Sequence, residues 1–223
     1  MSLLTDYVER YALISMEKQE RFSKLIGEHF WELDLETGKA RFNDLEFPFQ
    51  VLGTESENTL TFLWAWADEQ TEIPPGLIRS AIELRGWGRE KGLPEFYTPE
   101  IDLNRADGNM IAMVSSIAAR ASCYYRGGYD GGAAYFLVFG DSIDAQPGLG
   151  FVSFIRRFTD IIAIYELNHR RLFLSYFREK RLPVVEQGAL ISAELTTGEA
   201  VAAEFDEQDR VIAINGSLVE HAS

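Results

Sequence analysis

The chain has 223 residues, of which 46% are hydrophobic and 25% are charged, and its formal net charge is −14. This composition is that of a globular protein and excludes a disordered chain, which has few aromatic and branched apolar residues. The acidic balance argues against nucleic acid or an anionic membrane as a partner, and we predict neither.

The cysteine content and the hydropathy pattern bear on location. The single cysteine, Cys123, excludes an internal disulfide and any zinc site built from cysteines. No segment has the roughly 18 apolar residues that a transmembrane helix needs. The first residues lack the basic start and the apolar run of a signal peptide. We therefore expect a soluble cytoplasmic protein.

Apolar residues at helical spacing predict five helices. They cover residues 3–26, a segment opened by Pro74-Pro75, residues 106–121, the apolar stripe from Phe151 to Tyr165, and a segment capped by Asn168 and ended by Pro183. Five residues run along the second helix: Leu77, Ile78, Ala81, Ile82 and Arg85. Residues 92–104 are expected to form a loop.

Alternation of apolar and polar residues predicts antiparallel strands joined by short turns. They cover residues 31–35, 40–43, 45–51 and 59–67 in meander order, the pair Cys123–Arg126 and Ala133–Gly140, and a three-stranded tail from Ala189 to Ile214. Residues 135–139 are apolar on both faces, which predicts a central position in a sheet. The predicted fold is α+β, an antiparallel meander sheet packed by helices. Residues 1–183 form the main domain, and residues 184–223 form a small C-terminal β extension.

The strand predicted over 59–67 is the candidate ligand site. Phe62, Trp64 and Trp66 share one bulky aromatic face, and Asp68 follows at the end of the strand. Aromatic residues at strand spacing are typical of a core, whereas a ligand pocket is typically apolar and aromatic with a few polar groups. Both interpretations stay open, and in the second Asp68 anchors the ligand.

The sequence contains no motif that predicts catalysis. His29, His169 and His221 are far apart and have no second ligand at helical spacing. There is no nucleophile elbow and no phosphate loop, and Gly148 and Gly150 lack the third glycine of a dinucleotide motif. We predict no catalytic residue, no metal site and no cofactor.

The charge is unevenly distributed along the chain. Residues 28–72 carry eleven acidic and two basic residues, residues 186–223 carry eight and one, and residues 151–185 carry three and seven. This pattern is typical of solvated strand faces and of a helix with a basic outer side, but it also suits an acidic surface that engages a basic partner.

Three functions follow from these patterns. The leading hypothesis is a non-enzymatic cytoplasmic binding protein, of the inhibitor or immunity type, that engages a basic protein partner through its acidic surface. The second is a small-ligand-binding domain with an aromatic pocket around Trp64 and Trp66. The third is an acid–base enzyme that uses Asp68. The oligomeric state is left open.

The segment from Phe49-Gln-Val-Leu-Gly53 to Leu63-Trp64-Ala65-Trp66-Ala67 resembles a bacterial family of uncharacterised domains. That family has a glycine, then Trp-x-Trp-Ala-Asn, then a helix with a glycine near its end. Here Asp68 stands in place of the asparagine, and Asn168-His169-Arg170 is similar to an Asp-His-Arg helix start. The resemblance covers residues 30–181 and implies a soluble bacterial protein without an assigned reaction.

Overall fold

The computed structural model describes residues 2–70 and 72–218. Its helices agree with the predicted ones and add two short ones: α1 (Leu3–Ile26), a 3-10 turn (Pro75–Leu77), α2 (Arg79–Lys91), α3 (Pro94–Tyr97), α4 (Gly108–Ala118), α5 (Asp141–Asp144), α6 (Phe151–Ile164) and α7 (His169–Glu179). Among these described residues, no helix has the length and hydropathy needed to cross a membrane.

All strand pairs are antiparallel, so the predicted α+β class is confirmed. The strands are β1 (Trp31–Asp34), β2 (Lys39–Phe42), β3 (Leu45–Ser56), β4 (Thr61–Trp64), β5 (Glu100–Asp102), β6 (Cys123–Tyr129), β7 (Gly132–Val138), β8 (Val184–Gln187), β9 (Leu190–Glu194), β10 (Glu199–Phe205) and β11 (Val211–Leu218). The first five follow one another in meander order, and β8 to β11 form a separate four-stranded sheet.

Three predicted elements are corrected by the structure. The strand predicted over 59–67 ends at Trp64, because the chain turns at residues 65–67 and the Ala67 amide donates to the Trp64 carbonyl. The segment 92–104, predicted as a loop, contains α3 and β5. The C-terminal sheet has four strands, since Val184–Gln187 pairs with β9.

One apolar residue that runs along the predicted second helix is exposed. Ile82 on α2 is 50% exposed, and the residues of α2 that are buried are Ala81, Leu84 and Gly88. Gly88 lies directly against Phe96, where a Cβ atom would come within 2.2 Å of the Phe96 Cβ. This close approach of α2 to α3 fixes which face of α2 is turned inward.

The described chain divides into two compact units, residues 22–145 and residues 1–21 with 146–223. The division at residue 21 falls within α1. The predicted domain boundary between residues 183 and 184 stays a prediction about independent folding.

The unit of residues 22–145 is built on β7, which pairs with β3 on one side and β6 on the other, as the prediction of a central strand requires. β3 is long and pairs with three other strands. Its first half pairs with β2, and its second half pairs with both β4 and β7. Helix α4 contacts β3, β6 and β7 on one face. On the other face, the end of α1 and the β1–β2 hairpin share a hydrophobic core with Phe136 and Val138.

The unit of residues 1–21 and 146–223 combines the start of α1, helices α6 and α7, and the four-stranded sheet. Its core is an aromatic cluster in which Phe154 contacts Phe173, Tyr176 and Phe177, and Phe173 contacts Phe205 of β10. The predicted N-cap is confirmed, since the Asn168 side chain accepts a hydrogen bond from the Arg171 amide.

Three buried carboxylates on α1 pair with cations in the same unit. Glu9 is 2.7 Å from Arg171, Glu17 is 2.7 Å from Lys180, and Glu20 is 2.8 Å from Arg157. The basic excess of residues 151–185 is therefore turned partly toward α1. The Arg157 and Lys180 side chains are only 18% and 15% exposed, so these two cations are not part of a solvated basic face.

Candidate functional site

The β1–β2 hairpin carries the acidic side chains predicted over 31–43. Trp31 and Leu33 face the core, whereas Glu32 and Asp34 are exposed on the opposite face. This is the alternation that a half-buried strand shows. The turn is closed by Asp34, whose carboxylate accepts the amides of residues 36 and 37 at 2.9 and 3.0 Å.

Strand β1 lies at the end of its sheet and pairs only with β2 among the described strands. The Phe30 and Asp34 carbonyls accept hydrogen bonds from Asn43 and Gly38, on the β2 side. In an antiparallel pair, the main-chain groups of successive residues point alternately toward the partner strand and away from it. Those of Trp31 and Leu33 are therefore directed to the free edge. An unpaired edge of this kind is a template for one further strand.

Phe30 precedes β1 and is 90% exposed. The segment that carries it is held by Asn43. The Phe30 amide donates to the Asn43 side-chain carbonyl at 3.1 Å, and the Asn43 side-chain amide donates to the Glu28 carbonyl at 2.8 Å. The chain thus presents a large apolar side chain to solvent, and hydrogen bonds hold the backbone that carries it.

Trp31 fixes the hairpin to the sheet beneath it. Its ring lies 5.8 Å from the Tyr125 ring and 6.0 Å from the Phe136 ring. A Cβ atom on Gly127 of β6 would come within 2.6 Å of the indole, so only glycine leaves room for it there. The free edge of β1 is therefore supported by packed aromatic rings.

The charges of the hairpin are partly paired. Glu46 contacts Lys39 at 3.0 Å and Arg41 at 2.9 Å, and hydrogen bonds from these two cations lower the pKa of the Glu46 carboxyl. The hydrogen bonds from Thr37, followed by that from Glu36, lower the pKa of the Asp34 carboxyl. Both groups are therefore ionised at neutral pH.

Two open surface pockets adjoin the hairpin. One of about 510 Å³ is lined by residues that include Glu32, Asp34 and Glu36, and one of about 320 Å³ is lined by residues that include Phe30 and Trp31. We call the exposed residues Phe30, Glu32 and Asp34, together with the free edge of β1, the β1 surface. It combines an apolar anchor, unpaired main-chain groups and negative charge.

The predicted ligand site is placed differently by the structure. Phe62 and Trp64 are fully buried and in edge contact at 5.4 Å, and the Trp64 indole donates to the Glu95 carbonyl at 2.8 Å. Trp66 lies in the turn after β4 and stacks on Trp64 at 6.4 Å. Asp68 accepts the Gln70 amide at 2.9 Å.

These four residues do not line one common pocket in the described chain. Asp68 lines a shallow depression of about 380 Å³ with Leu63, Ala67, Glu69 and Gln70. Phe62 and Trp64 lie in the core instead. A ligand-binding role for Phe62, Trp64, Trp66 and Asp68 stays a prediction.

Two of the three histidines, His29 and His169, and the cysteine lie among the described residues and have structural surroundings that can be named. His29 contacts the Gly27 carbonyl at 2.8 Å and the Tyr125 hydroxyl at 2.9 Å, and Cys123 is buried in the core. His169 Nδ1 accepts the Val211 amide at 3.2 Å. His221 lies outside the described residues. Within residues 2–70 and 72–218, no group of three or more potential ligands is placed to hold a metal ion.

The contact of His169 predicts a pH dependence of stability. Burial, and then the nearby Arg210, lower the pKa of His169 below its ordinary value of 6.5, while Asp206 opposes the shift. The unfolded chain therefore takes up the proton at a higher pH than the folded chain. The stability contribution is present above about pH 6.5 and is lost as the pH falls through the lowered folded pKa.

We therefore expect acid to destabilise the wild type more than the His169→Gln variant, in which the side-chain amide oxygen accepts the Val211 amide. The measurement is urea unfolding at several pH values between about 7 and 5. Parallel pH profiles for the two proteins would show that His169 does not carry the effect.

Sequence reasoning found the acidic alternation of β1 but missed Phe30 and Asn43. The only local signal is the Asn43-Asp44 pair, which is typical of a turn, and Asn43 does adopt a positive φ of 52°. Asn43 bonds to residues 28 and 30, on the far side of the hairpin. The register of β1 against β2 places Asn43 next to residues 28 and 30. The periodicity of the sequence does not show this register.

The comparisons agree with the family that the sequence resembles. A family model, described as a family of unknown function (DUF6882), matches residues 5–141. The match contains the Trp64-Ala65-Trp66-Ala67 segment and begins within α1, whereas the Asn168-His169-Arg170 segment lies beyond its end. Searches of curated proteins and of solved structures found no match.

Proposed function

The chain belongs to the DUF6882 family of unknown function, and we propose that this member binds a protein partner through the β1 surface. The proposed partner segment is an extended stretch in which basic side chains alternate with apolar ones. It would add a strand to the free edge of β1. The observation that carries this proposal is Phe30, exposed over 90% of its surface on a backbone that Asn43 holds in place.

The geometry supports an extended partner rather than a helical one. Another backbone in register with β1 would pair with the main-chain groups of Trp31 and Leu33, which a helix cannot do. Every second side chain of an added strand would then lie on the same face as Glu32 and Asp34. Cations at those positions would meet the carboxylates across the strand.

Charge complementarity predicts that the partner segment is positively charged. The region 28–72 has a net charge of −9. Within the hairpin, Lys39 and Arg41 are engaged by Glu46, and Arg41 also lies 3.9 Å from Glu32. Attraction between the acidic surface and a basic segment raises the association rate and orients the encounter. A cytoplasmic location belongs to the same proposal, because a chain with one buried cysteine suits a reducing compartment.

The test uses a fluorescent peptide that alternates Lys and Val, with a Glu–Val peptide for comparison. We expect the basic peptide alone to bind, and Phe30→Ala to weaken binding by about tenfold or more, as loss of an interface anchor does. The double variant Glu32→Lys/Asp34→Lys should also lose binding. Fluorescence anisotropy at low and high salt measures both effects.

Glu57→Lys is the matched control, since Glu57 is an exposed acid in the β3–β4 turn, away from the β1 surface. It should bind like the wild type. The proposal fails when binding is indifferent to salt, because exposed ion pairs weaken as ionic strength rises. It also fails when Glu57→Lys and Glu32→Lys/Asp34→Lys have equal effects.

A second proposal, a small-ligand site at Trp66, is favoured by one observation. The Trp66 Nε1 and Arg85 Nε atoms are buried donors without hydrogen-bond partners in the described chain, and the Arg85 guanidinium lies 4.2 Å above the Trp66 ring. Buried donors normally have acceptors. Tryptophan fluorescence in the presence of candidate ligands, compared between wild type and Trp66→Phe, tests it.

A further inference from the structure

A second pocket lies in the other compact unit, where the end of α6, the start of α7 and the turn between β10 and β11 meet. Its volume is about 490 Å³, within the range of small-molecule sites. We propose that it binds the zwitterion of an apolar α-amino acid. This site is independent of the β1 surface and of the function proposed for it.

The polar wall of the pocket presents hydrogen-bond donors. His169 Nδ1 accepts the Val211 amide, so the neutral ring carries its proton on Nε2. Arg210 also lines the pocket, and its side chain is 65% exposed. Its guanidinium Nε donates to Asp206 at 3.2 Å and its Nη2 donates to the Gln208 side-chain carbonyl at 3.4 Å, so three of its five N–H groups remain for a carboxylate, and Gln208 lies beside it. This wall suits a carboxylate.

A second wall, formed by the end of α6, presents acceptors. The pocket is lined by Ile162, Ala163 and Ile164, the last residues of α6. The helix has no further turn whose amides could donate hydrogen bonds to these carbonyls, so the carbonyls form its negative end. Glu166 lines the same side. This wall suits an ammonium group, and the two walls together suit a molecule that carries both charges.

Apolar surface completes the pocket. Ile164 is 71% exposed, Ile162 is half-buried, and both line the pocket. An apolar side chain placed on these two residues would remove hydrocarbon from water on both partners. The turn that positions Arg210 is fixed independently of a ligand, since the Asn168 side-chain amide donates to Asp209 at 2.9 Å and the Arg170 amide donates to the Asp209 carbonyl.

The test is a titration of the whole protein with leucine, followed by NMR shifts and calorimetry. 4-Methylpentanoate lacks the ammonium group and 3-methylbutylamine lacks the carboxylate, so the two compounds test the two walls separately. We expect leucine to bind and each analogue to bind about tenfold more weakly or less, as loss of a charge-assisted hydrogen bond implies.

Arg210→Met should weaken leucine binding by about tenfold or more, while Arg156→Met, an exposed arginine on α6 outside the pocket, should leave it unchanged. Arg210 is exposed, so its variant is expected to fold, and circular dichroism checks this. Three results overturn the proposal: no leucine binding, equal binding of leucine and 4-methylpentanoate, or equal binding by the Arg210→Met and wild-type proteins.

Discussion

We expect the Trp64→Ala variant to unfold with a free energy about 3–5 kcal/mol below that of the wild type. The Trp64 side chain is fully enclosed and contacts Phe62, Trp66 and Phe96. Its removal leaves a cavity and also leaves the buried Glu95 carbonyl without its donor. Urea unfolding followed by circular dichroism measures the change.

Phe30→Ala is the matched control, because it removes an aromatic ring that is almost fully exposed. Its effect on stability should lie within about 0.5 kcal/mol, as for most surface changes. A Trp64→Ala protein as stable as the Phe30→Ala protein would show that the Trp64 ring is not part of the core. That result would support the hypothesis of an aromatic ligand pocket around Trp64 and Trp66.

The second large effect concerns Glu17. We expect Glu17→Gln to lower the free energy of unfolding by about 3–5 kcal/mol, the cost of leaving a buried charge unpaired. Burial raises the pKa of Glu17, but the charge and hydrogen bond of Lys180, followed by the hydrogen bond of Tyr176, outweigh it and lower the pKa overall. Without the carboxylate, Lys180 and Arg21 both lose the anion that each of them contacts at 2.7 Å.

Asp6→Asn provides the comparison on the same helix. Asp6 pairs with Arg171 at 2.6 Å, but both side chains are about half exposed. Exposed ion pairs contribute less than about 1 kcal/mol, so this variant should unfold almost like the wild type. Equal losses in Glu17→Gln and Asp6→Asn, measured by guanidinium unfolding, would contradict a special cost for the buried pair.

Periodicity predicted the elements whose burial is regular. α1, α6 and α7 each bury one stripe, and the β1–β2 hairpin and the β6–β7 pair alternate as half-buried or central strands do. In such segments the spacing of apolar residues along the chain decides whether a helix or a strand forms. This spacing can be read directly from the sequence.

The errors share a different cause. The strand predicted over 59–67 stops at Trp64 because the chain turns there, although apolar residues continue to Ala67. β5 has only three residues and forms because β4 offers a partner edge, and β8 likewise forms against β9. Whether a short strand forms depends on its pairing with a strand that can be distant in the sequence. The pattern of a single sequence does not show such pairing.

The candidate site was predictable only in part. The alternation of Glu32 and Asp34 with apolar residues follows from the sequence, as does the acidic balance of residues 28–72. The exposure of Phe30 depends on Asn43, and the free edge depends on β1 being last in its sheet. Charge counts also could not show that the basic residues of 151–185 partly pair with α1.

The shared strand β3 has a consequence for synthesis on the ribosome. The edge of β3 from Phe49 to Ser56 is completed only by β7, which begins at Gly132. While the nascent chain is shorter than this, the meander of β1 to β4 carries an open edge that includes Val51 and Leu52. Such an edge pairs readily with other chains, so the interval between translation of β3 and of β7 is when this protein is most exposed to aggregation.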